Sequence, residues 1–237
     1  MKLIKTVLLT SLAMIWSASS VASIHLSANR IIYKEAKGEA VLTAKNEEKR
    51  NYLVQSWLDA AGNPEITTKQ LPFVVTPPLF QLVSGSESII QVVYQGTGLP
   101  ADKESLLWLN VRGVPSLTEQ EQNLKNKLSV AVTERIKVIF RPKSLADESA
   151  SAIGKIEWQR GSNGMVHVVN NSPYYVILNK IDINNVEVKV SAESNNTVIS
   201  PKGTKDYPIE SKAGGLKIIW SGVTDFGVKS KEYSVTL

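Results

Sequence analysis

Segments rich in β-branched and aromatic residues recur about every ten residues along this chain, and turn signals separate them. Almost nothing in the chain has helical periodicity. Up to residue 142 the predicted strands are Ile24–Tyr33, Gly38–Asn46, Asn51–Asp59, Gln70–Thr76, Ser88–Gln95, Ser105–Val111 and Lys127–Arg141. Beyond residue 142 they are Gly154–Gln159, Met165–Asn170, Tyr174–Ile181, Val186–Val190, Thr197–Ile199, Lys205–Ile209, Leu216–Trp220 and Glu232–Leu237.

This spacing favours β-sandwiches over an alternation of helices and strands. Seven strands within about 120 residues match the strand count of an immunoglobulin-like domain. The polar, small-residue segment 142–151 begins with a proline, which lacks a ladder donor, and it separates the two series. We therefore predict an all-β chain with two immunoglobulin-like β-sandwich domains in tandem, one over residues 23–142 and one over residues 143–237.

The last strand of the first series, Lys127–Arg141, is unusually long. At about 3.3 Å per residue it would span roughly 50 Å, whereas common strands span about 17–20 Å. Its apolar residues share one parity, and only Glu134 breaks the row of Leu128, Val130, Val132, Ile136, Val138 and Phe140.

Two interpretations of this strand stay open. It is an ordinary last strand that runs into a linker, or its first half, around 128–132, is a sheet edge meant for a strand of another chain. Monomeric proteins normally protect such an edge with charge, proline or a bulge, and no proline occurs in this strand before Pro142.

The N-terminus has the pattern of a cleaved signal peptide over residues 1–22. Lys2 and Lys5 supply the positive charge at the start, and an apolar run covers residues 6–16. Small residues then follow up to a predicted cleavage after Ala22. The apolar run is too short for a membrane span of about 20 residues. We therefore predict secretion across the inner membrane and no membrane insertion of the mature chain.

Composition narrows the function classes. The formal net charge of +5 is spread along the chain without a dense basic block, so nucleic-acid binding is not indicated. The chain has no cysteine, which excludes thiol catalysis, thiolate metal sites and disulfides. A hydrophobic content of 43% is ample for stabilisation by core packing.

Catalytic and metal constellations have no positive support. The only histidines, His25 and His167, fall in different predicted domains, whereas a metal site or triad needs convergent ligands. Neither a glycine-rich phosphate loop nor a G-x-S-x-G elbow is present. We predict no enzyme activity, no metal and no cofactor, although a hydrolase with distant paired carboxylates stays open as an unsupported alternative.

Two cations are better candidates for a binding site. Arg30 lies in the first predicted strand, and Lys137 lies in the long strand among apolar neighbours. A strand lysine usually points outward to solvent. If Arg30 and Lys137 converge in a cleft, they offer a planar fork and a point charge suited to one carboxylate.

Several stretches match a known family in order and spacing across both predicted domains. They are 30–33 (RIIY), 76–80 (TPPLF), Gly85, 99–111 (LPADKESLLWLNV), 135–142 (RIKVIFRP), 170–175 (NNSPYY) and 225–227 (DFG). At these residues the chain resembles the PapD-like periplasmic chaperones of pilus assembly by the chaperone–usher route.

The resemblance implies an L-shaped pair of sandwiches with an interdomain cleft, in a protein of the periplasm. Its partners would be pilus subunits, whose folding it assists and whose exposed groove it caps, and an outer-membrane usher, to which it delivers them. The family's site residues map onto three sets: a carboxylate anchor of Arg30 and Lys137, groove-filling residues Leu128, Val130 and Val132, and an interdomain charge network of Glu104, Arg141 and Asp225.

Glu134 departs from the apolar row, so we expect the groove-filling part to end near Val132. The sequence leaves open whether the free protein covers its edge by self-association. The alternative function is a secreted carbohydrate-binding or adhesin module that uses Trp57, Trp108 or Trp158 as a stacking platform. Trp57 and Trp108 lie in strongly apolar strands, which favours core positions for both.

Overall fold

The computed structural model describes residues 24–60, 71–162, 164–191, 196–209 and 214–237. The predicted signal peptide, residues 1–22, lies outside these ranges, and so does Gln70 at the start of one predicted strand. Described residues up to 141 supply strands β1 to β9, and those from 157 onward supply β10 to β17.

Two sheets form the first sandwich. The first sheet has the order β1-β3-β7-β5 and consists of β1 (Ile24–Leu26), β3 (Glu39–Asn46), β7 (Glu87–Tyr94) and β5 (Phe73–Thr76). The second has the order β2-β9-β8-β4-β6 and consists of β2 (Arg30–Lys34), β9 (Val132–Arg141), β8 (Ser105–Pro115), β4 (Tyr52–Asp59) and β6 (Leu79–Leu82). All pairs are antiparallel except β2 with β9, which is parallel.

The second sandwich follows the same principle. One sheet has the order β10-β11-β15 and consists of β10 (Glu157–Arg160), β11 (Met165–Val169) and β15 (Thr204–Pro208). The other has the order β13-β12-β16-β17, with β14 also on β12, and consists of β13 (Val186–Val188), β12 (Val176–Ile183), β16 (Lys217–Gly222), β17 (Tyr233–Thr236) and β14 (Val198–Ile199). The prediction of an all-β chain of tandem sandwiches is confirmed.

Helical structure in the described ranges is confined to short turns. A single 3-10 turn covers Glu35–Lys37, and the α-helices α1 (Glu119–Gln122) and α2 (Ser149–Ala152) have four residues each. None of these helices could span a bilayer.

Each sandwich has its own core, because alternate residues of its strands turn inward. In the first, Leu107 and Leu109 of β8 face Val138 and Ile136 of β9, and all four are buried. The second core centres on Trp158 and Trp220, whose rings lie 5.5 Å apart. Two separate cores allow the chain to stabilise both units without a disulfide.

The first predicted strand, Ile24–Tyr33, is in fact two strands in different sheets. β1 pairs with β3 of one sheet, whereas β2 pairs with β9 of the other. The change occurs at Ser27, which donates its N–H to Thr43 O and accepts the Thr43 N–H at its hydroxyl. The short edge strand β6, Leu79–Leu82, was not predicted, because Pro77 and Pro78 precede it and favour a turn or loop.

The long predicted strand is also shorter than the pattern indicated, since β9 begins at Val132 and residues 127–131 form no strand. Its last pair with β8 is Gly113 with Val132. β8 then ends at Pro115, which has no N–H to donate. Residues 127–131 form no ladder with β8 or with any other strand of the described chain.

The hydroxyl of Tyr33 ties the two sheets of the first sandwich together. Tyr33 is buried, donates to Gly38 O at 2.6 Å and accepts the Tyr94 N–H at 2.9 Å. Its ring packs against Phe73 and Phe140. This one hydroxyl thus satisfies a carbonyl and an amide between the layers.

Replacing Tyr33 with phenylalanine should keep the ring packing and remove both hydrogen bonds. We expect a loss of about 1–3 kcal/mol in the free energy of unfolding, because two backbone groups are left unsatisfied. Urea denaturation followed by tryptophan fluorescence measures it. Tyr233→Phe is the matched control, since no described residue hydrogen-bonds to its hydroxyl; equal midpoints for the two variants would contradict the assignment.

Candidate functional site

Strand β9 has two neighbours along one half and a single neighbour along the other. Residues 137–141 of β9 pair with β2, beginning with Lys137 opposite Arg30. Residues 132–140 of β9 pair with β8 on the other side. Within the described chain, residues 132–136 therefore pair only on the β8 side, and their other backbone edge is open.

An exposed apolar row leads into this open edge. Leu128, Val130 and Val132 are 91%, 63% and 51% exposed, which is unusual for large aliphatic side chains close together. They line a groove of about 730 Å³, whose other apolar walls include Leu117 and Leu124. The structure therefore presents the predicted groove-filling residues to solvent, although only Val132 belongs to a strand.

The far wall of this groove is fixed by the short helix α1. Thr118 and Glu121 form a reciprocal capping box, in which Thr118 Oγ1 accepts the Glu121 N–H and Glu121 Oε2 accepts the Thr118 N–H. Glu121 also meets Arg50 of the loop before β4 at 3.4 Å. The hydrogen bonds from Thr118, aided by the charge of Arg50, lower the pKa of Glu121.

Arg30 and Lys137 meet at the inner end of the open edge. They are register partners in the parallel β2–β9 pair, so both side chains project from the same face of the sheet. Arg30 Nη1 donates to Thr224 O of the second sandwich at 3.4 Å, while Arg30 Nε is buried with no hydrogen-bond partner. Lys137 Nζ lies 4.8 Å from the centre of the Trp108 ring.

The electrostatics of these two cations would favour a bound anion. Burial lowers the pKa of Lys137, and the charge of Arg30 lowers it further. Burial also lowers the pKa of Arg30, with a partial offset from Asp225. No carboxylate of the described residues forms an ion pair with either cation, so an incoming carboxylate would relieve both their repulsion and the unsatisfied Nε.

The predicted core positions of Trp57 and Trp108 are wrong. Both lie half-buried on the outer face, because their inward-facing neighbours take the opposite parity. Trp108 lies beneath two cations, with the Arg135 guanidinium 4.5 Å from its centre, and Arg112 lies 5.5 Å from Trp57. Covered by cations in this way, the rings offer no open platform for a sugar.

The predicted charge network joins the two sandwiches. Arg141 Nε donates to Glu104 Oε1 at 2.7 Å, and Nη1 donates to Asp225 Oδ2 of the second sandwich at 2.8 Å. Glu104 Oε2 in turn accepts the Tyr175 N–H at 2.7 Å. All three predicted residues thus meet in one place, with Arg141 and Glu104 almost fully buried.

The titration of this network follows from its burial. Desolvation alone would lower the pKa of Arg141, but hydrogen bonds to Asp225 and the charge of Glu104 raise it above its ordinary value. Burial raises the pKa of Glu104, and Arg141 and the Tyr175 N–H partly offset this. Arg141 and the Tyr175 N–H therefore compensate part of the cost of burying the Glu104 carboxylate.

Sequence reasoning missed one member of the network. Asp147 accepts from Arg141 Nη1 at 3.0 Å and also pairs with Lys34 of β2. Hydrogen bonds from these two cations lower the pKa of Asp147, and the bond from Lys34 has the larger effect. Asp147 is an exposed acid in the predicted linker, a position whose default interpretation is a solvated charge, so no sequence signal distinguished it.

Family models match almost the whole described chain. A model described as the PapD N-terminal domain of pili and flagellar-assembly chaperones matches residues 23–146, and one for the PapD C-terminal domain of pili assembly chaperones matches residues 151–234. The chain belongs to the PapD family of pilus assembly chaperones. These matches confirm the family that the sequence motifs of this PapD-like chaperone predicted.

Full-length relatives agree with this assignment. The probable fimbrial chaperone LpfB of Escherichia coli O157:H7 is 33% identical over 204 residues, which cover 85% of this chain and 83% of LpfB. The chaperone protein FimC of Escherichia coli K12 is 31% identical, covering 93% of this chain and 87% of FimC.

Solved structures agree as well. The Escherichia coli chaperone DraB matches with a TM-score of 0.75 at 32% identity, covering 91% of this chain and 98% of the DraB chain. The Salmonella enterica SafA pilin in complex with the SafB chaperone matches with a TM-score of 0.77 at 27% identity, covering 93% and 99%. These likenesses do not favour the alternative of a carbohydrate-binding module.

Replacing Arg141 with leucine should leave Glu104 as a buried carboxylate without its cation. We expect the free energy of unfolding to fall by about 3–5 kcal/mol, measured by urea denaturation. Arg135→Leu is the control, because it removes a partly exposed ion pair with Asp59 and a contact with the Trp108 ring, which together should cost at most about 2 kcal/mol. Similar losses in both variants would contradict a special role for the buried network.

Proposed function

We propose that this PapD-like chaperone binds a pilus subunit that lacks its last strand, by adding β9 to the subunit's sheet while Arg30 and Lys137 hold the subunit's C-terminal carboxylate. The observation that best supports this proposal is that the open edge at residues 132–136 ends at this pair of cations. We further propose that this occurs in the periplasm and that the subunit is then delivered to an outer-membrane usher.

The vacant position next to β9 has a defined direction. It continues the line of β2, which begins at Arg30 and runs parallel to β9. A subunit strand that enters this position and ends at Arg30 and Lys137 must also run parallel to β9. Its backbone would complete the ladder that residues 132–136 lack, as in other cases of strand addition.

The two cations suit a terminal carboxylate in geometry and charge. The guanidinium of Arg30 can bind one carboxylate with more than one N–H, and Lys137 adds a compact charge beside it. A fixed terminus also sets register. Because a slip of one residue turns every side chain to the wrong face, this anchor would keep the apolar row aligned with the subunit's groove.

The exposed row supplies the apolar part of the interaction. Burying a large aliphatic side chain is worth roughly 1.5–3 kcal/mol as a transfer estimate, before the costs of association. Leu128, Val130 and Val132 have most of this surface still exposed in the free chain. Ordering of residues 127–131 into a strand would reduce the gain, because the backbone loses conformational freedom on binding.

The relatives support the proposed partner. A SafA pilin is bound by the SafB chaperone in one of the similar solved structures, and LpfB is named as a probable fimbrial chaperone. The predicted signal peptide supports the periplasm as the site of action. The usher is proposed on the family resemblance alone.

Arg30→Ala and Lys137→Ala should fold as the wild type but fail to retain subunits. Neither cation stabilises the free fold strongly, because both are half-buried beside a like charge. The measurement is co-purification of pilus subunits with tagged chaperone from the host periplasm. Lys155→Ala, at an exposed position of the second sandwich, is the control; full subunit recovery with both cleft variants would refute the proposal.

Changing Leu128, Val130 and Val132 together to serine should weaken subunit binding and leave the thermal midpoint of the free chaperone nearly unchanged. The reason is that these side chains are exposed until a subunit covers them. Val186→Ser in β13, also an exposed aliphatic position, is the control for both measurements. A large fall in the midpoint would mean that the row belongs to the core.

A further inference from the structure

Glu134 interrupts the apolar row at a position where the chaperone has an open edge. It lies in β9 two residues beyond Val132 and two before Ile136, so its side chain projects from the same inner face. Its partner across the sheet is Val111, which is buried. Glu134 also lines the groove together with Val132.

The surroundings of Glu134 leave its charge poorly compensated. It is half-buried, and no hydrogen-bond donor or ion-pair partner for its carboxylate occurs among the residues that the structure describes. Burial raises its pKa, and the nearby His25 of β1 offsets this only in part. A subunit seated on the open edge would remove the remaining water from this carboxylate.

We propose that Glu134 determines client specificity by selecting subunits that place a basic side chain opposite it. This inference rests on the proposed function. A carboxylate buried at an interface is strongly unfavourable unless a cation or donor meets it. An apolar subunit groove at this position would therefore be rejected, whereas a lysine or arginine would form a charge-assisted hydrogen bond.

The register places this selection close to the subunit's C-terminus. Lys137 holds the terminal carboxylate in the proposed complex, and Glu134 lies three residues earlier along the parallel strand. The selected basic residue should therefore lie a few positions before the subunit's last residue. The apolar row would contact the part of the subunit farther from its C-terminus. Glu134 therefore lies between the row, which fills the groove, and the two cations, which bind the terminal carboxylate.

Short synthetic peptides with a free C-terminal carboxylate and alternating valine and threonine test this inference. Lysine occupies each of the last positions in turn, and a glutamine peptide matches every lysine peptide. Dissociation constants are measured with the mature chaperone and with Glu134→Gln, which preserves side-chain size. Glu187→Gln, at an exposed position of β13, is the matched charge-removal control.

At one lysine position, wild-type chaperone should bind the lysine peptide roughly tenfold or more tightly than its glutamine counterpart, as expected for a hydrogen bond between charged groups. The Glu134→Gln variant should lose this preference, and Glu187→Gln should keep it. An equal lysine preference in wild type and Glu134→Gln, or no preference at any position, overturns the inference.

Amidated peptides and the Arg30→Ala and Lys137→Ala variants separate this inference from the proposed function. If affinity depends on the free carboxylate and on both cations but not on Glu134, the anchor stands and the specificity assignment falls. If affinity depends on neither the carboxylate nor the cations, the proposed function fails, and the inference fails with it.

Discussion

The unequal pairing of β9 is the constraint on which the rest of this structure depends. A strand in a sheet has two backbone edges, and buried polar groups on either must find partners. Toward its C-terminal end β9 satisfies both edges through β2 and β8, which places it in the core of the first sandwich. Toward its N-terminal end it pairs with β8 alone, so one strand combines a fully paired segment with an open backbone edge.

The other site features follow from where β2 begins. Arg30 is the first residue of β2, and its pairing with Lys137 places two cations where the double pairing starts. The contact of Arg30 with Thr224, together with the buried Arg141 network, connects this point to the second sandwich. The second sandwich therefore contacts both arginines, Arg30 through the Thr224 carbonyl and Arg141 through the Asp225 carboxylate.

Sequence reasoning succeeded where side-chain parity or family motifs decide a position. Parity placed Val138 and Phe140 on one face of the strand, and the structure buries both; the family motifs directed attention to the Arg141 network. It failed where pairing partners decide: the apolar row continues back to Leu128, whereas the β8–β9 ladder stops at Val132. The run around Trp108 is apolar at every position, which hid the alternation that turns this ring outward. Asp147 gave no local signal at all.

The alignment of β2 with the vacant position also limits what can enter it. In the proposed complex the subunit strand ends where β2 begins, because the Arg30 backbone already occupies the next position beside β9. A polypeptide extended past its natural end, for example by a C-terminal tag, would collide with this backbone. The proposed site would therefore select for the position of the subunit's C-terminus as well as for its carboxylate.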